Sequence, residues 1–464
     1  MFRTIYSTFL NCLKIPELSS RILFTLLVLA VCRLMSIISI PGLNHAALTQ
    51  YFNEAAQRSG GSGILGMAST FTGGGLENCA IGALGVMPYI SATIIIQLLT
   101  AVIPSLSKLA REEGGRTQII KYGRYLTVLL CIGWGIATTL SWENPASVFP
   151  GFNQGSLVMY DSIWFYRLQT VLILTTGTML LMWLGEQITE RGIGNGVSLV
   201  ITIGILARLP KAGQGLFDMF STHGGGERLF NFGHGVALVL LLIGVIAGVI
   251  AVTQAQRKIP VQYAQRAVGR KMYAGGTSFM PLKVNYAGVM PVIFASSILM
   301  FPQWIFKALG SVKSPAVAKL GNQLAMALDY GSMLYLLIYG LMILFFSYFW
   351  VATQFNELQI ADDLKKNGGY VPGVRPGEAT SSFLHNAMSR ITLAGAVFLT
   401  LIAVIPIVLA KWMKIPHEVA QYFGGTSMLI MVGVLLDTLR QMESHLLMRN
   451  YDGFLKKGKV RGRS

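Results

Sequence analysis

The stretch Ser62–Thr100, SGILGMASTFTGGGLENCAIGALGVMPYISATIIIQLLT, decides how the rest of the chain is interpreted. A short apolar piece, Ile64–Phe71, ends near three successive glycines, and a longer piece runs from about residue 80 to residue 100. The longer piece can cross a bilayer, which takes roughly 20 residues. The short piece cannot, so it must be buried in protein or line a cavity at membrane depth. Two interpretations stay open: a plug in a gated pore, and a re-entrant packing segment without a gating role.

The composition places the whole chain in a membrane. Of its 464 residues, 53% are hydrophobic and only 12% are charged, whereas soluble domains carry about 25% charged residues. The four cysteines lie in or beside apolar segments without metal-ligand spacing, so we interpret them as reduced structural thiols. The polar start of the chain does not have the pattern of a cleavable signal peptide, and the first span is expected to act as the insertion signal.

Hydropathy predicts ten membrane spans and therefore an all-α polytopic membrane protein. The spans are residues 22–40, 80–103, 122–140, 164–184, 196–209, 233–253, 288–306, 332–351, 391–409 and 426–439. An even number of spans puts both termini on the same side of the membrane. That side holds 26 lysines and arginines and the opposite side holds 10, so the positive-inside rule predicts that both termini are cytoplasmic.

The ten spans divide into two halves of five. An N-terminal arm, residues 1–21, precedes the first half, 22–209, and a loop, 210–232, separates it from the second half, 233–439. A basic tail, 440–464, follows. The first half starts inside and ends outside, so the second half is inverted relative to it. Inverted halves with a site at their interface are typical of transporters.

Two predicted cytoplasmic loops, residues 254–286 and 352–389, are too long to be simple connectors. Both contain basic residues, glycines and prolines, and the alternation around Ile259–Tyr263 predicts a short strand. We expect ordered, finger-like loops on which a cytoplasmic partner with acidic patches docks. The alternative is ordinary positive-inside charge.

The sequence contains no constellation that predicts an enzyme, a metal site or a cofactor site. The six histidines have no metal spacing, and the RGIGNGVS stretch, Arg191–Ser198, lacks the strand and the third glycine of a nucleotide-binding loop. Arg33, deep in the first span, is either a functional charge or a structural one that backbone carbonyls satisfy. The middles of the spans are nearly free of carboxylates, which disfavours an ion-coupled transporter and favours a conduit that is passive or driven by an external motor.

Five stretches spread along the chain, in order, resemble the SecY family of protein-conducting channels. They are LGVMPYISATIIIQLL (Leu84–Leu99), QITERGIGNGVSLVI (Gln187–Ile201), PLKVNYAGVMPVIFASSILMFP (Pro281–Pro302), VPGVRPGEAT (Val371–Thr380) and YFGGTSMLIMVGVLLD (Tyr422–Asp437). The resemblance implies a clamshell of two halves around an hourglass pore, with the loop 210–232 as its hinge. It implies the passage of unfolded secretory polypeptides across a bacterial inner membrane, and the lateral release of membrane-protein segments into lipid.

The resemblance assigns an aliphatic ring at the constriction, which would exclude water and ions when the pore is empty. Matched motif by motif, the ring residues are Val86, Ile90, Ile201, Ile205, Ile293 and Ile430. Val86 is smaller than the isoleucine often found there, which predicts a slightly looser seal. It also assigns a plug to residues 62–75, whose apolar side chains are Ile64, Leu65, Met67 and Phe71.

A lateral gate and a docking surface are implied in the same way. The gate, between spans 2–3 and 7–8, has the candidates Ser91, Gln97, Asn285 and Phe301. Each hydrogen bond between polar side chains across such a seam contributes about 0.6–2 kcal/mol. Bonds this weak would let the two helices separate when an apolar segment competes for the seam. The SecA motor ATPase or a ribosome would dock on basic residues of the two loops, namely Arg257, Lys258, Arg266, Arg270, Lys271 and Arg375. The other implied partners are SecE-like and SecG-like small membrane subunits, signal sequences, nascent polypeptides and membrane lipids.

Two rival functions stay open. A small-molecule secondary transporter would need acidic residues at mid-membrane or a polar substrate pocket, and the sequence indicates neither. An insertase that only places spans into lipid would need neither the plug nor the ring.

Overall fold

The computed structural model is predominantly helical, and each of the ten predicted spans coincides with a helix. It describes residues 15–57, 69, 71–112, 114–145, 152, 155–220, 232–263, 266–268, 271–273, 277–310, 315–329, 331–413, 415, 419 and 426–457. Within these ranges seven helical stretches are long and apolar enough to cross a membrane, and a bent pair of helices makes an eighth. The chain is therefore an all-α polytopic membrane protein, as predicted.

The first half contains eight described helices, of which α1, α3, α5, α6 and α7 correspond to the five predicted spans. They are α1 (Pro16–Met35), α2 (His45–Gln57), α3 (Met87–Val102), α4 (Pro104–Arg111), α5 (Gly115–Glu143), α6 (Ile163–Arg191), α7 (Gly196–Leu206) and α8 (Leu209–Phe220). In the second half, α9, α10, α12, α14 and α15 correspond to spans 6 to 10. The helices described there are α9 (Phe232–Gln254), α10 (Met290–Gly310), α11 (Pro315–Ala327), α12 (Met333–Gln354), α13 (Glu357–Lys366), α14 (Glu378–Trp412) and α15 (Thr426–Lys457).

The second span is shorter as a helix than the sequence predicts. Helix α3 begins at Met87, after a series of turns from residue 72 to residue 86, and not at residue 80. Pro88 lies in the first turn of α3, where its missing amide hydrogen costs nothing. At the other end Pro104 follows, and the chain bends by 104° into α4. The 16 residues of α3 rise only about 24 Å, so the turns before the helix lie at membrane depth.

These turns are buried in protein, as non-helical backbone at membrane depth has to be. The Ile81 amide donates to the Ile38 carbonyl at 2.9 Å, and the Gly82 amide donates to the Met35 carbonyl at 3.0 Å. On the other side lies Gly177 of α6, where an added Cβ would come within 2.3 Å of the Ile81 carbonyl oxygen. The turns are therefore held between the end of α1 and a glycine of α6.

The two long loops form one structure instead of two separate fingers. The predicted strand is confirmed as β1 (Gln256–Tyr263), the centre of a three-stranded antiparallel sheet. The remaining strands are β2 (Arg266–Val268), β3 (Lys271–Tyr273), β4 (Thr277–Lys283) and β5 (Gly369–Tyr370). In the sheet, β1 pairs with β4 of its own loop and with β5 of the other loop, while β2 and β3 form a hairpin.

An apolar cluster beneath the sheet joins both loops to α14. Its buried members are Ile259, Leu282, Phe355, Val371, Leu384, Ala387, Met388 and Ile391. At the sheet itself the Tyr370 hydroxyl donates to Gln262 Oε1 at 2.9 Å, across the junction between the loops. The loops are therefore one packed unit at the ends of α9, α10, α12 and α14.

We predict that Gly177→Ala destabilises the protein by about 1–3 kcal/mol, because the new methyl group would push against the Ile81 backbone. Gly133→Ala is the control: its Cβ meets no atom within 4 Å, so it should leave the stability unchanged or raise it by less than about 1 kcal/mol. The midpoint of thermal unfolding in detergent can be followed with a thiol-reactive dye, since the native cysteines described are buried. Equal midpoints for the two variants would contradict the packing of the turns against α6.

Candidate functional site

The six side chains of the predicted ring come from both halves of the chain and lie in one buried cluster. Each is at most 5% exposed, and the cluster is continuous from α3 and α7 of the first half to α10 and α15 of the second. Its ring members are Val86, Ile90, Ile201, Ile205, Ile293 and Ile430. The structure thus brings together residues that lie up to 344 positions apart in the sequence.

Local structure explains how α7 presents its part of the ring. The Asn195 side chain caps the helix by accepting from the Ser198 amide at 3.2 Å, which fixes where the short helix begins. Ile201 and Ile205 are four residues apart and therefore share a face. That face is fully buried, and α7 contains no charged residue over its whole length.

The described part of the predicted plug touches the same cluster. Phe71 is 5% exposed and belongs to it. The glycines that follow let the chain turn, with φ of +64° at Gly73 and +88° at Gly74. A Cβ at Gly73 would lie 2.9 Å from the Gly204 Cα atom, so the plug backbone lies directly against the backbone of α7. The predicted plug residues Ile64, Leu65 and Met67 lie outside the described residues.

Polar side chains also hold this segment, and of these the sequence analysis singled out only Arg33. The Arg33 guanidinium donates to the Gly73 carbonyl, which fits the structural interpretation of Arg33 and adds that the carbonyl belongs to the plug segment. Buried Glu77 accepts from the Ser69 hydroxyl at 2.6 Å and pairs with Arg208 and Lys211. The available signal was that Glu77 is the only carboxylate between Ser62 and Thr100.

The predicted lateral gate corresponds to a seam where α3 of the first half meets α10 of the second. The Ser297 hydroxyl, which donates to the Ile293 carbonyl at 2.7 Å, also lies 3.7 Å from the Met87 sulfur across the seam. Ser91 is buried on α3, and its hydroxyl has no hydrogen-bond partner in the described part of the chain. Sequence reasoning missed Met87 and Ser297; a serine pair in the apolar α10 was the signal.

The other gate candidates are placed differently. Asn285 donates to the Gly288 carbonyl of its own turn at 2.8 Å, so this bond does not cross the seam. Gln97 is half-buried on α3, and Phe301 lies in α10 with its side chain outside the description. A small cavity lies at the seam between the plug turns, α3, α5 and α10. Its walls include Thr72, Leu84, Met87, Trp134, Thr138 and Met300.

Three of the six predicted docking residues lie on or beside the shared sheet. Arg257 and Lys258 are exposed on β1, and Arg375 is exposed in the turn that follows β5. The Thr380 hydroxyl donates to the Arg375 carbonyl at 2.8 Å, which fixes the backbone of that turn. Arg266 and Lys271 lie in the β2–β3 hairpin, with side chains outside the description, and Arg270 lies outside the described residues. Among the described residues, no group of three or more His, Cys, Asp or Glu could hold a metal ion.

Known proteins of one family are similar to this chain over most of its length. The family model described as SecY matches residues 80–439. The chain is similar to the protein translocase subunit SecY of Chlamydia trachomatis, with 41% identity over 459 residues, which cover 97% of this chain and 98% of the relative. It is also similar to the protein of that name from Thermotoga maritima, with 42% identity over 463 residues that cover 99% of this chain and 100% of the relative.

Two solved structures share the fold. One, described as the structure of a protein conducting channel, has a TM-score of 0.59 at 18% identity, with 92% of each chain covered. The other, Sec61 in the canine ribosome–channel complex from the endoplasmic reticulum, has a TM-score of 0.56 at 18% identity over the same shares.

We predict that a short bifunctional thiol reagent joins cysteines that replace Met87 and Ser297 across the seam in the resting protein, because the Met87 Sδ and Ser297 Oγ atoms lie 3.7 Å apart and a cysteine sulfur lies one bond nearer its backbone than the Met87 sulfur. The native cysteines are first replaced by serine. After treatment with the reagent, cleavage between α8 and α9, within residues 221–231, should leave the two halves joined on a denaturing gel; the predicted loop 210–232 is partly helical, since α8 extends to Phe220.

The matched control pairs Ser297→Cys with Thr100→Cys, which lies on the same helix about 20 Å further along its axis. The control halves should separate. Separation of the Met87/Ser297 halves under the same conditions would show that α3 and α10 do not meet as described.

Proposed function

The chain belongs to the SecY family, and on this basis we propose that it is the pore-forming subunit of a protein translocase in a bacterial inner membrane. Unfolded secretory polypeptides pass through its centre, and apolar segments of membrane proteins leave sideways into lipid. The observation that carries the proposal is the convergence of six aliphatic side chains, from both halves of the chain, in one buried cluster with the plug residue Phe71.

The aliphatic ring acts as the seal. Its side chains offer no hydrogen bonds to water or to ions, so a narrow space between them dewets when no polypeptide is present. For the same reason the ring does not bind a passing polypeptide through polar contacts, and its side chains move aside as the chain advances. The described end of the plug adds a second layer, because Phe71 packs into the same cluster and the glycine backbone rests on α7.

The seam between α3 and α10 acts as the lateral gate. Its described polar contact is a hydroxyl facing a thioether, a weak interaction. An apolar segment gains about 25 cal/mol for each Å² that it removes from water, so a signal sequence or a membrane span competes with such contacts and separates the helices. A polar chain has no such gain and continues through the pore.

The shared sheet of the two loops is the proposed docking surface for a motor such as SecA or for a ribosome. Both termini and this sheet would face the cytoplasm, in agreement with the positive-inside rule. The loops are joined by paired strands and a common apolar cluster, so a force on Arg375 reaches α9, α10, α12 and α14 together. The chain would not itself be an enzyme: energy would come from the motor, the translating ribosome or the proton-motive force. SecE-like and SecG-like subunits would brace the two halves around the hinge at 210–232.

The sharpest test of the pore is a photocrosslinking scan with a secretory precursor stalled midway through the membrane. A photoreactive residue placed at Ile90, Ile201, Ile293 or Ile430 should form an adduct with the precursor, because each position lines the proposed path. The controls are Leu240 and Leu401, which are exposed apolar positions on α9 and α14. They should react with lipid and not with the precursor.

If none of the four ring positions forms an adduct while the precursor is still stalled, the aliphatic cluster is part of the hydrophobic core and does not line a pore. The transporter and insertase interpretations would then take its place.

We also predict that Arg375→Glu slows motor-driven translocation by about tenfold, since it replaces a charged donor by a charge of opposite sign on the docking surface. The fold should be unchanged because the Arg375 side chain is exposed. Lys365→Glu, an equal charge change at another exposed position of the same loop, is the control. Equal translocation rates in the two variants would argue against a specific role of Arg375; the rate is measured as precursor protected from protease per minute.

A further inference from the structure

The plug segment is held by a buried group of charges for which the proposed function gives no role. Glu77 is 5% exposed and lies six residues after Phe71, in the turns that lead to α3. Its Oε1 accepts from the Ser69 hydroxyl and from the Arg208 guanidinium, and its Oε2 accepts from the Lys211 ammonium at 3.1 Å. The Arg208 guanidinium also donates to the Ser69 hydroxyl, so one cation bridges Ser69, within the predicted plug, and Glu77, two residues after it.

We propose that Glu77, Arg208 and Lys211 form a latch that keeps the plug segment seated, and that movement at the start of the hinge releases it. The inference rests on the proposed function, because a latch has meaning only if the segment closes a pore.

Because Glu77 and Arg208 are largely removed from water, the stability of the latch depends on both charges being present. A carboxylate away from water is stable only when it is paired and hydrogen-bonded, and Glu77 has two cations and a hydroxyl around it. Removal of the carboxylate would leave Arg208, whose side chain is 12% exposed, without its countercharge. The hydroxyl of Ser69 would then lose the contacts that tie the plug segment to the turn between α7 and α8.

The positions of the cations connect the latch to the hinge. Arg208 lies in the two-residue turn between α7 and α8, and Lys211 lies in the first turn of α8. The hinge predicted from the sequence begins at residue 210. Because α8 leads from the first half towards the second, a rotation of the second half would pull on α8 and shift Arg208 and Lys211 at its start, while Ser69 and Glu77 stay with the body of the first half.

The charged contacts of the latch hold the plug segment, but the hydrogen bonds of Arg208 are incomplete in the described part of the chain. The Arg208 Nε atom is buried and has no hydrogen-bond partner within the described part of the chain, so the guanidinium is not fully satisfied in the closed arrangement. Arg33 adds a separate contact from α1 to the Gly73 carbonyl. All these contacts lie in the first half, so the plug segment is anchored there and not to the helices of the second half.

The test is ion leakage from proteoliposomes that contain the full chain with its copurifying membrane subunits and no precursor. Arg208→Gln and Glu77→Gln should each raise chloride efflux by about tenfold or more, which is the expected effect of losing one charged hydrogen bond on the closed-to-open equilibrium. Lys211→Gln should have a smaller effect, because the Lys211 side chain is 41% exposed and Arg208 remains.

The matched control is Arg124→Gln, which removes another arginine–glutamate pair, with Glu186 at 2.7 Å, between α5 and α6 and away from the plug segment. It should not leak. Deletion of residues 61–68 is the positive control and should leak at least as much as Arg208→Gln. Thermal midpoints show that each variant is folded, and if Arg208→Gln does not fold, Glu77→Gln gives the decisive result.

Each pattern of leakage has one interpretation. Leakage of the latch variants and of the deletion, without leakage of Arg124→Gln, supports the latch. Leakage of the deletion alone overturns the latch and leaves the pore intact. Leakage of Arg124→Gln to the same extent assigns the effect to general loosening and also overturns the latch. If the deletion does not leak, the aliphatic ring seals the pore without the plug and the latch is overturned, while the pore itself is judged by the photocrosslinking scan.

Discussion

Irregular backbone cannot face lipid, because no water is present there to satisfy its polar groups, and the first half of this protein is built around one segment subject to that constraint. Residues 71–86 turn several times at membrane depth, and their polar groups must be satisfied by the protein itself. The end of α1 supplies backbone partners for Ile81 and Gly82, while Gly177 and Gly204 remove the side chains that would stand in the way. The buried charges at Glu77 and Arg208 complete the enclosure.

Residues 71–86 connect the aliphatic cluster, the cavity at the seam and the start of α3. Phe71 enters the cluster of ring residues, the turns around Thr72 and Leu84 line the cavity at the seam, and Val86 leads directly into α3. A displacement of the segment would therefore alter the constriction and the seam together. The contacts involved are aliphatic packing, close backbone approach and a few hydrogen bonds, all of which can break and form again without loss of the surrounding helices.

The sequence predicted the parts of this structure that depend on local patterns. Ten apolar runs correspond to ten helices, the alternation around Ile259 corresponds to β1, and the three glycines after Thr72 mark a turn. The ring residues followed from family motifs, and the structure gathers all six in one cluster. Their role as a ring stays a prediction.

Other features were missed because they depend on partners far away in the chain. Residues 80–86 are apolar, which predicts the start of span 2 there, but Gly85 has a φ of +58° and the segment pairs with the end of α1 instead of forming a helix. The two-residue strand β5 is too short to give any periodic signal, so the joining of the loops was not foreseen. Glu77 and Arg208 are 131 residues apart, and no spacing rule connects them.

The most direct test of this account is a cryo-electron microscopy map of the protein with a polypeptide arrested during translocation. We expect density for the polypeptide between α3 and α7 on one side and α10 and α15 on the other, with Phe71 withdrawn from the buried cluster and Gly73 separated from Gly204. Density that runs outside the helices, with residues 71–86 and the cluster unchanged, would contradict it.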